Sequence, residues 1–199
     1  MCKIVTWARF KRQYDAEGRE KVDGYSPSDF DGMSEDERAQ ARSMMLERAL
    51  RGDTIDLSGL RYVGDANTIA RLQEAGGIVA QLGWRDDIIR HDVLYHLTGE
   101  TRFLTDLARY LDGRDAEAQE RAARSFTWFV LPVELESFLT DRIADGRHEP
   151  AILPLLQAWI GLRERAVCDI MCFQRRLDFI RRVKDAALAK RRTMLSDAP

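Results

Sequence analysis

Residues 88–126 decide the predicted fold, and they read IIRHDVLYHLTGETRFLTDLARYLDGRDAEAQERAARSF. Apolar side chains recur in this stretch at four-residue steps, the spacing that places them on one face of an α-helix. They are Phe103, Leu107 and Leu111. Gly99 and Gly113 follow two of the apolar runs, where glycine commonly ends a helix. The stretch therefore predicts helices joined by short turns, over 84–98, 101–112 and 115–130.

Similar helical patterns lie on both sides of this stretch. The four-residue pattern returns 32 residues later in Leu135, Leu139 and Ile143, which indicates an internal repeat. Further helices are predicted over 65–76, 132–146 and 148–162. Short connections make consecutive helices antiparallel, and each pair then has an apolar side that only the next pair covers. The predicted fold class is therefore all-α, with stacked antiparallel helix pairs.

The central run resembles degenerate HEAT-type helical repeats over about residues 65–162. The start of a second repeat helix is matched by Ile89, Arg90, Val93, Leu94 and Leu97. Another match covers 115–126, although Gln119 stands where the pattern has arginine. Residues 23–53, DGYSPSDFDGMSEDERAQARSMMLERALRGD, are also similar to small bacterial HEAT-like proteins of the toxin-immunity kind. The resemblance implies a HEAT-like α-solenoid that binds another protein.

The two ends of the chain differ in charge. Residues 15–37 hold nine acidic and two basic residues, and the glycines and proline among them favour an irregular connection. Its candidate anchors on the body are Tyr25, Phe30 and Met33. Ser34 and Glu37 then have the capping-box spacing that opens a helix.

The C-terminal region is basic. Residues 163–192 contain neither glycine nor proline, and they hold ten basic and four acidic residues. They predict one long helix, with a seam formed by Ala166, Ile170, Phe173, Leu177 and Ile180. The predicted organisation is a single domain with an N-terminal helix and acidic segment over 1–37, helix pairs over 38–162 and the long helix over 163–192.

Composition limits the classes of function. The chain has 199 residues and a formal net charge of −2, which argues against a general nucleic-acid binder. No run reaches the roughly 18 apolar residues of a membrane helix, and the N-terminus lacks the apolar core of a signal peptide. Cys2, Cys168 and Cys172 form no disulfide framework, which favours reduced thiols and a cytoplasmic location.

Catalytic and metal-binding signals are weak. The adjacent His91 and Asp92 are similar to the metal-binding pair of phosphohydrolases, but only His96 and His148 remain as further histidine ligands. Cys168 and Cys172 lie one helical turn apart, with no second pair nearby in sequence to complete a zinc site. Motifs for nucleophilic serines, phosphate loops and zinc proteases are also missing. We therefore expect no metal, no cofactor and no enzymatic activity.

Two polar and aromatic stripes at helical spacing are the candidate partner-binding surface. Tryptophan, tyrosine and arginine dominate protein interfaces. Tryptophan occurs in both stripes, tyrosine in the first and arginine in the second. One stripe consists of Trp84, Asp87, His91 and Tyr95, and the other of Glu117, Arg121, Arg124 and Trp128. In a HEAT-like stack these helices line the concave side. The alternative for Trp84 and Trp128 is simple packing between neighbouring hairpins.

Three hypotheses about function follow. The first is a protein-binding module, most concretely an immunity protein whose acidic segment attracts a basic toxin domain. The second is a nucleic-acid-binding or repair protein on a HEAT-like scaffold, using Arg175, Arg176, Arg181, Arg182, Lys190, Arg191 and Arg192. The third is an enzyme of helical-repeat type, whose active-site residues meet only in the fold. The acidic net charge and the absence of catalytic motifs favour the first.

Overall fold

The computed structural model describes residues 3–163 and 170–198. Within these ranges the regular structure is helical and includes no strand, which confirms the all-α prediction. The chain divides into two compact units, Met1–Thr105 and Asp106–Pro199. The division falls inside helix α8, Thr101–Leu111.

Unit 1 holds seven of the helices that precede α8. They are α1 (Lys3–Asp15), α2 (Gly18–Val22), α3 (Glu35–Ala49), α4 (Thr54–Gly59), α5 (Ala66–Glu74), α6 (Gly76–Leu82) and α7 (Trp84–Thr98). The 3₁₀ turn Pro27–Asp29 lies between α2 and α3, and the 3₁₀ turn Leu60–Tyr62 lies between α4 and α5. The predicted capping box is confirmed: Glu37 Oε2 accepts from the Ser34 backbone amide at 2.7 Å, and Ser34 Oγ accepts from the Glu37 amide at 3.3 Å.

Helix α7 is the central element of unit 1. The helices α4, α5 and α6 and the turn Leu60–Tyr62 all pack against it. Every residue from Asp86 to Tyr95 is buried, so no side of the helix in this span faces solvent. A helix buried all round needs apolar contacts on every side, and Ile88, Val93 and Leu94 supply them without forming a single stripe.

The acidic segment 15–37 is anchored to unit 1 by apolar side chains. Phe30 and Met33 are buried, and Tyr25 is half-buried with its hydroxyl donating to the Asp56 carboxylate. The Phe30 ring lies 5.8 Å from that of Phe10 on α1. These contacts confirm the three predicted anchors. The segment is more regular than predicted, since it includes α2 and the Pro27–Asp29 turn.

Unit 2 is built around helix α11, Ile152–Arg163. Its other helices are α9 (Ala116–Phe126), α10 (Leu135–Ala144), α12 (Ile170–Asp185) and α13 (Leu188–Ser196). Helices α9, α10 and α12 pack against α11, and α13 packs against α10. Leu155, Leu156 and Trp159 of α11 are buried. Helix α11 begins at Ile152 and not at residue 148, after the 3₁₀ turn Gly146–Ala151 that contains Pro150. A later start was one of the two outcomes that Pro154 left open.

Gln119 closes the end of α8. Its Nε2 donates to the carbonyl oxygens of Leu111 and Gly113, at 3.1 and 2.7 Å. The last carbonyls of a helix have no partner within the helix, and this side chain satisfies them. The glutamine that departs from the HEAT pattern therefore has a structural role.

The single helix predicted over 163–192 is wrong at its C-terminal end. Helix α12 ends at Asp185, and Ala187 is extended (φ −58°, ψ 142°) before α13 begins. Arg191 stabilises this corner, because its guanidinium donates to the carbonyls of Lys184 and Ala186. The N-terminal part of the prediction, including Ala166 and Cys168, lies outside the described residues, as do Cys2 and the side chains of Cys172 and Phe173.

Candidate functional site

Ionisable side chains form a buried row on α7. They are Asp86, Asp87, Arg90, His91 and Asp92, each at most 8% exposed. Arg90 donates from Nε and Nη2 to Oδ1 of Asp87, at 2.9 and 2.7 Å. Its Nη2 also lies 2.8 Å from Nε2 of His91. The opposite charges of Arg90 and Asp87 offset the cost of removing both from water.

The ends of this row differ in their partners. The guanidinium of Arg61 lies 3.8 Å from Oδ2 of Asp92. Burial and the charge of Arg61 lower the pKa of His96, while Asp92 acts to raise it. At the other end, burial raises the pKa of the Asp86 carboxyl above its usual range. Among the described residues, no three His, Cys, Asp or Glu side chains come together as metal ligands.

The first predicted stripe is not an open surface. Asp87, His91 and Tyr95 are buried, because α7 is the core helix of unit 1 and not an outer one. Burial also raises the pKa of the Tyr95 hydroxyl. Trp84 is half-buried, with the Arg85 guanidinium 5.2 Å from the centre of its ring. The prediction that this stripe lies on an exposed concave face is therefore wrong for Asp87, His91 and Tyr95.

The second predicted stripe is exposed. Glu117, Arg121 and Arg124 lie on the solvent face of α9, opposite a buried face that includes Ala118, Ala122 and Phe126. Arg124 Nη2 donates to Glu120 Oε1 at 2.5 Å. Trp128 follows the helix end and is 73% exposed. It therefore does not pack in the core of a hairpin, which was the alternative reading of this residue.

Trp128 begins an exposed apolar segment that leads to α10. Val130 is 86% exposed and Val133 is 56% exposed, whereas Leu131 between them is buried. The buried Leu131 holds the segment on unit 2 while its neighbours point outward. Val130 and Val133 were not predicted as site residues. The available signal was the run TWFVLPVE after a helix end, which concentrates apolar residues in a connection instead of a helix face.

The acidic segment presents exposed carboxylates on unit 1. They are Glu17, Glu20, Asp23, Asp31 and Asp36. Other acids of the segment are engaged within the chain: Asp15 pairs with Lys11 at 3.0 Å, and Glu35 pairs with Arg42 at 3.1 Å. The buried anchors hold the segment that carries these exposed carboxylates on unit 1.

The basic residues predicted for nucleic-acid binding do not form one free surface. Arg191 is buried and pairs with Glu149 at 2.5 Å. Arg192 pairs with Asp141 at 2.7 Å, and Arg181 lies 3.6 Å from Asp178. Several members of the set therefore stabilise unit 2 or are locally neutralised.

Comparison with known proteins found no family model, no curated protein and no solved structure that matches this chain. In the two described ranges, no helix combines the length and apolar character that crossing a membrane requires. The function must therefore be argued from the exposed surfaces of the chain itself.

Proposed function

We propose that this chain is a protein-binding module whose contact surface is centred on Trp128. The single observation that carries the proposal is the exposure of Trp128 together with Val130 and Val133, at 73%, 86% and 56%. Large exposed apolar side chains concentrated in one short segment favour an interaction site, and tryptophan and arginine are enriched among binding hot spots. Arg121 and Arg124 lie beside this surface on α9.

The more specific form of the proposal is an immunity protein that binds and neutralises a bacterial toxin in the cytoplasm. Three features support it: the similarity of 23–53 to such proteins, the HEAT-like pattern of 65–162, and the anchored acidic segment. A basic toxin domain, such as a nuclease, is the partner that the acidic segment suits, because opposite charges accelerate encounter. The chain then acts by covering the toxin and has no catalytic role of its own.

Affinity purification of the tagged chain from its source cells, with nuclease treatment, tests the proposal. We expect one stoichiometric protein partner that is retained by the native chain and lost with Trp128→Ala. The matched control is Leu153→Ala, which truncates an apolar side chain that is 43% exposed on α11. Retention of the partner by the control and its loss with Trp128→Ala supports the proposal.

The hypothesis that the chain is an immunity protein also predicts a property of the captured partner. The captured partner must be toxic when expressed alone and harmless when expressed with the native chain. A partner that binds equally to the native chain and to Trp128→Ala contradicts the proposed surface. Recovery only of material that nuclease treatment releases contradicts the protein-binding function and favours nucleic acid.

A further inference from the structure

The exposed face of α9 has a charge order that is complementary to itself. Along the helix the charged residues are Glu117, Glu120, Arg121 and Arg124. The exposed Arg114 precedes the helix, and the exposed Trp128 follows it. Glu117, Arg121 and Arg124 are exposed, and Glu120 is half-buried. The centre of this order falls between Glu120 and Arg121, so that acidic residues precede it and basic residues follow it.

We propose that two copies of this chain pair through α9, with the helices antiparallel across a two-fold axis near Glu120 and Arg121. In such an interface, a residue a given number of positions before the centre faces the residue at the same distance after it. Glu120 then faces Arg121 of the second copy, and Glu117 faces Arg124, while Arg124 also pairs with Glu120 of its own helix.

The charge order alone does not require a second copy, because acids early and bases late in a helix also complement its dipole. The additional observation is Trp128, which follows the end of this helix and is 73% exposed. A second copy covers this indole and matches the charges beside it. The stripe is short against the roughly 800 Å² per partner of a typical stable interface, so the expected dimer is weak and salt-sensitive.

This pairing gives the proposed protein-binding surface a means of regulation, and that consequence rests on the proposed function. Two copies that cover each other's Trp128 hold the surface closed, and a cognate partner opens it by binding more tightly. Pairing of the chain with itself stands without the partner, because it is a property of the purified protein.

Sedimentation equilibrium of the purified full chain over a range of concentrations tests the inference. We expect a monomer–dimer equilibrium that weakens as salt is raised. Arg121→Glu places two acids opposite two acids across the axis, and it should raise the dimer dissociation constant by at least about tenfold. Arg109→Glu is the matched control, because it reverses an exposed arginine on α8, outside the stripe. Circular dichroism checks that both variants retain the helical fold.

A full inversion of the stripe makes the test specific for the antiparallel arrangement. The variant carries Glu117→Arg, Glu120→Arg, Arg121→Glu and Arg124→Glu, and its order is again complementary to itself. We expect it to pair with itself but not with the native chain, because mixed pairs place like charges opposite each other. Mixed pairs that form better than either homodimer would overturn the arrangement.

The remaining outcomes separate this inference from the proposed function. A native chain that is monomeric at every concentration, yet captures a protein through Trp128, overturns the pairing alone. A dimer that Arg121→Glu weakens supports the pairing even where no other protein partner is recovered, and the proposed function alone then fails. A dimer that Arg121→Glu and the control weaken equally overturns the interface at α9.

Discussion

Lys21 Nζ lies 3.0 Å from Oδ2 of Asp56, a carboxylate whose side chain has no exposure to solvent. The Tyr25 hydroxyl donates to the other oxygen of the same carboxylate. Burial raises the pKa of Asp56, and the hydrogen bonds from Tyr25 and Lys21 act to lower it. Lys21 and Tyr25 belong to the acidic segment, whereas Asp56 belongs to α4. This cluster therefore holds the acidic segment on the body of unit 1.

We expect Lys21→Met to destabilise the protein by roughly 2–4 kcal/mol, because it leaves a buried carboxylate without its nearest cation. Urea unfolding followed by circular dichroism measures the change. Lys11→Met is the matched control, since Lys11 pairs with the exposed Asp15 at 3.0 Å, and it should cost no more than about 1 kcal/mol. Equal effects of the two variants would show that the Asp56 cluster does not stabilise the fold.

The buried Asp86 predicts a pH-dependent difference in stability. Burial raises the pKa of its carboxyl in the folded state above that in the unfolded chain. The neutral Asp86 carboxyl therefore favours the folded state. This contribution to stability is fully present below the unfolded pKa, and it is lost as pH rises through the folded pKa. Asp86→Asn removes the ionisable group and the cost of a buried charge.

Urea unfolding of the native chain and Asp86→Asn at several pH values between 4 and 8 tests this prediction. We expect the stability of the variant relative to the native chain to increase as pH rises and to level off above the folded pKa. Asp36→Asn, which removes an exposed first-turn carboxylate of α3 without relieving a buried charge, is the control. A constant difference for Asp86→Asn across the range would contradict the pKa shift.

Local sequence signals predicted the helices well because their causes are local. The period of Phe103, Leu107 and Leu111 places all three in the core, and Ser34 caps α3 through atoms three residues away. The anchors Phe30 and Met33 were also predictable, since isolated large apolar residues in an acidic segment need a place to pack.

The position of α7 was not predictable from such signals. The helix carries a run of ionisable residues, which is typical of a surface helix, whereas the structure buries five of them. They are Asp86, Asp87, Arg90, His91 and Asp92. The long-range packing of α4, α5 and α6 on α7 decides the outcome, and no periodicity within 84–98 encodes it. The break after Asp185 likewise depends on Arg191, which binds carbonyls several residues away. The exposure of Glu117, Arg121 and Arg124 agrees with the amphipathic pattern of α9, whereas Trp128 follows the end of a helix that was predicted to continue to residue 130.

Replacement of Arg191, like that of Lys21, should lower the stability of the protein. Its side chain is 4% exposed and lies 2.5 Å from a carboxylate oxygen of Glu149, in addition to its bonds to the carbonyls of Lys184 and Ala186. We expect Arg191→Met to destabilise the protein by roughly 3 kcal/mol, since it removes the donors of two partly buried carbonyls and the cation that pairs with Glu149. Arg191→Lys should recover little, because an ammonium group lacks the fork of donors.

Thermal and urea unfolding of both variants measure the effect, with Arg192→Met as the control. Arg192 pairs with the exposed Asp141 at 2.7 Å, so its removal should cost no more than about 1 kcal/mol. Full recovery by Arg191→Lys would contradict the role assigned to the guanidinium geometry.

Truncation of the two tryptophans of unit 2 should change the stability of the protein by very different amounts. Trp159 is buried, its ring stacks on Phe179 at 5.8 Å, and its Nε1 donates to Thr140 Oγ1 at 3.2 Å. Trp159→Ala should therefore cost about 3–5 kcal/mol. Trp128 is 73% exposed, and Trp128→Ala should change stability by no more than about 0.5 kcal/mol.

Urea unfolding of both variants, followed by circular dichroism, checks this contrast. The result bears on function, because an exposed tryptophan that adds little to the stability of its own chain is available to stabilise a complex. A cost for Trp128→Ala that approaches that of Trp159→Ala would mean that the indole stabilises unit 2, and loss of partner binding in this variant would then report on folding. A stable Trp128→Ala chain makes any loss of binding a property of the surface itself.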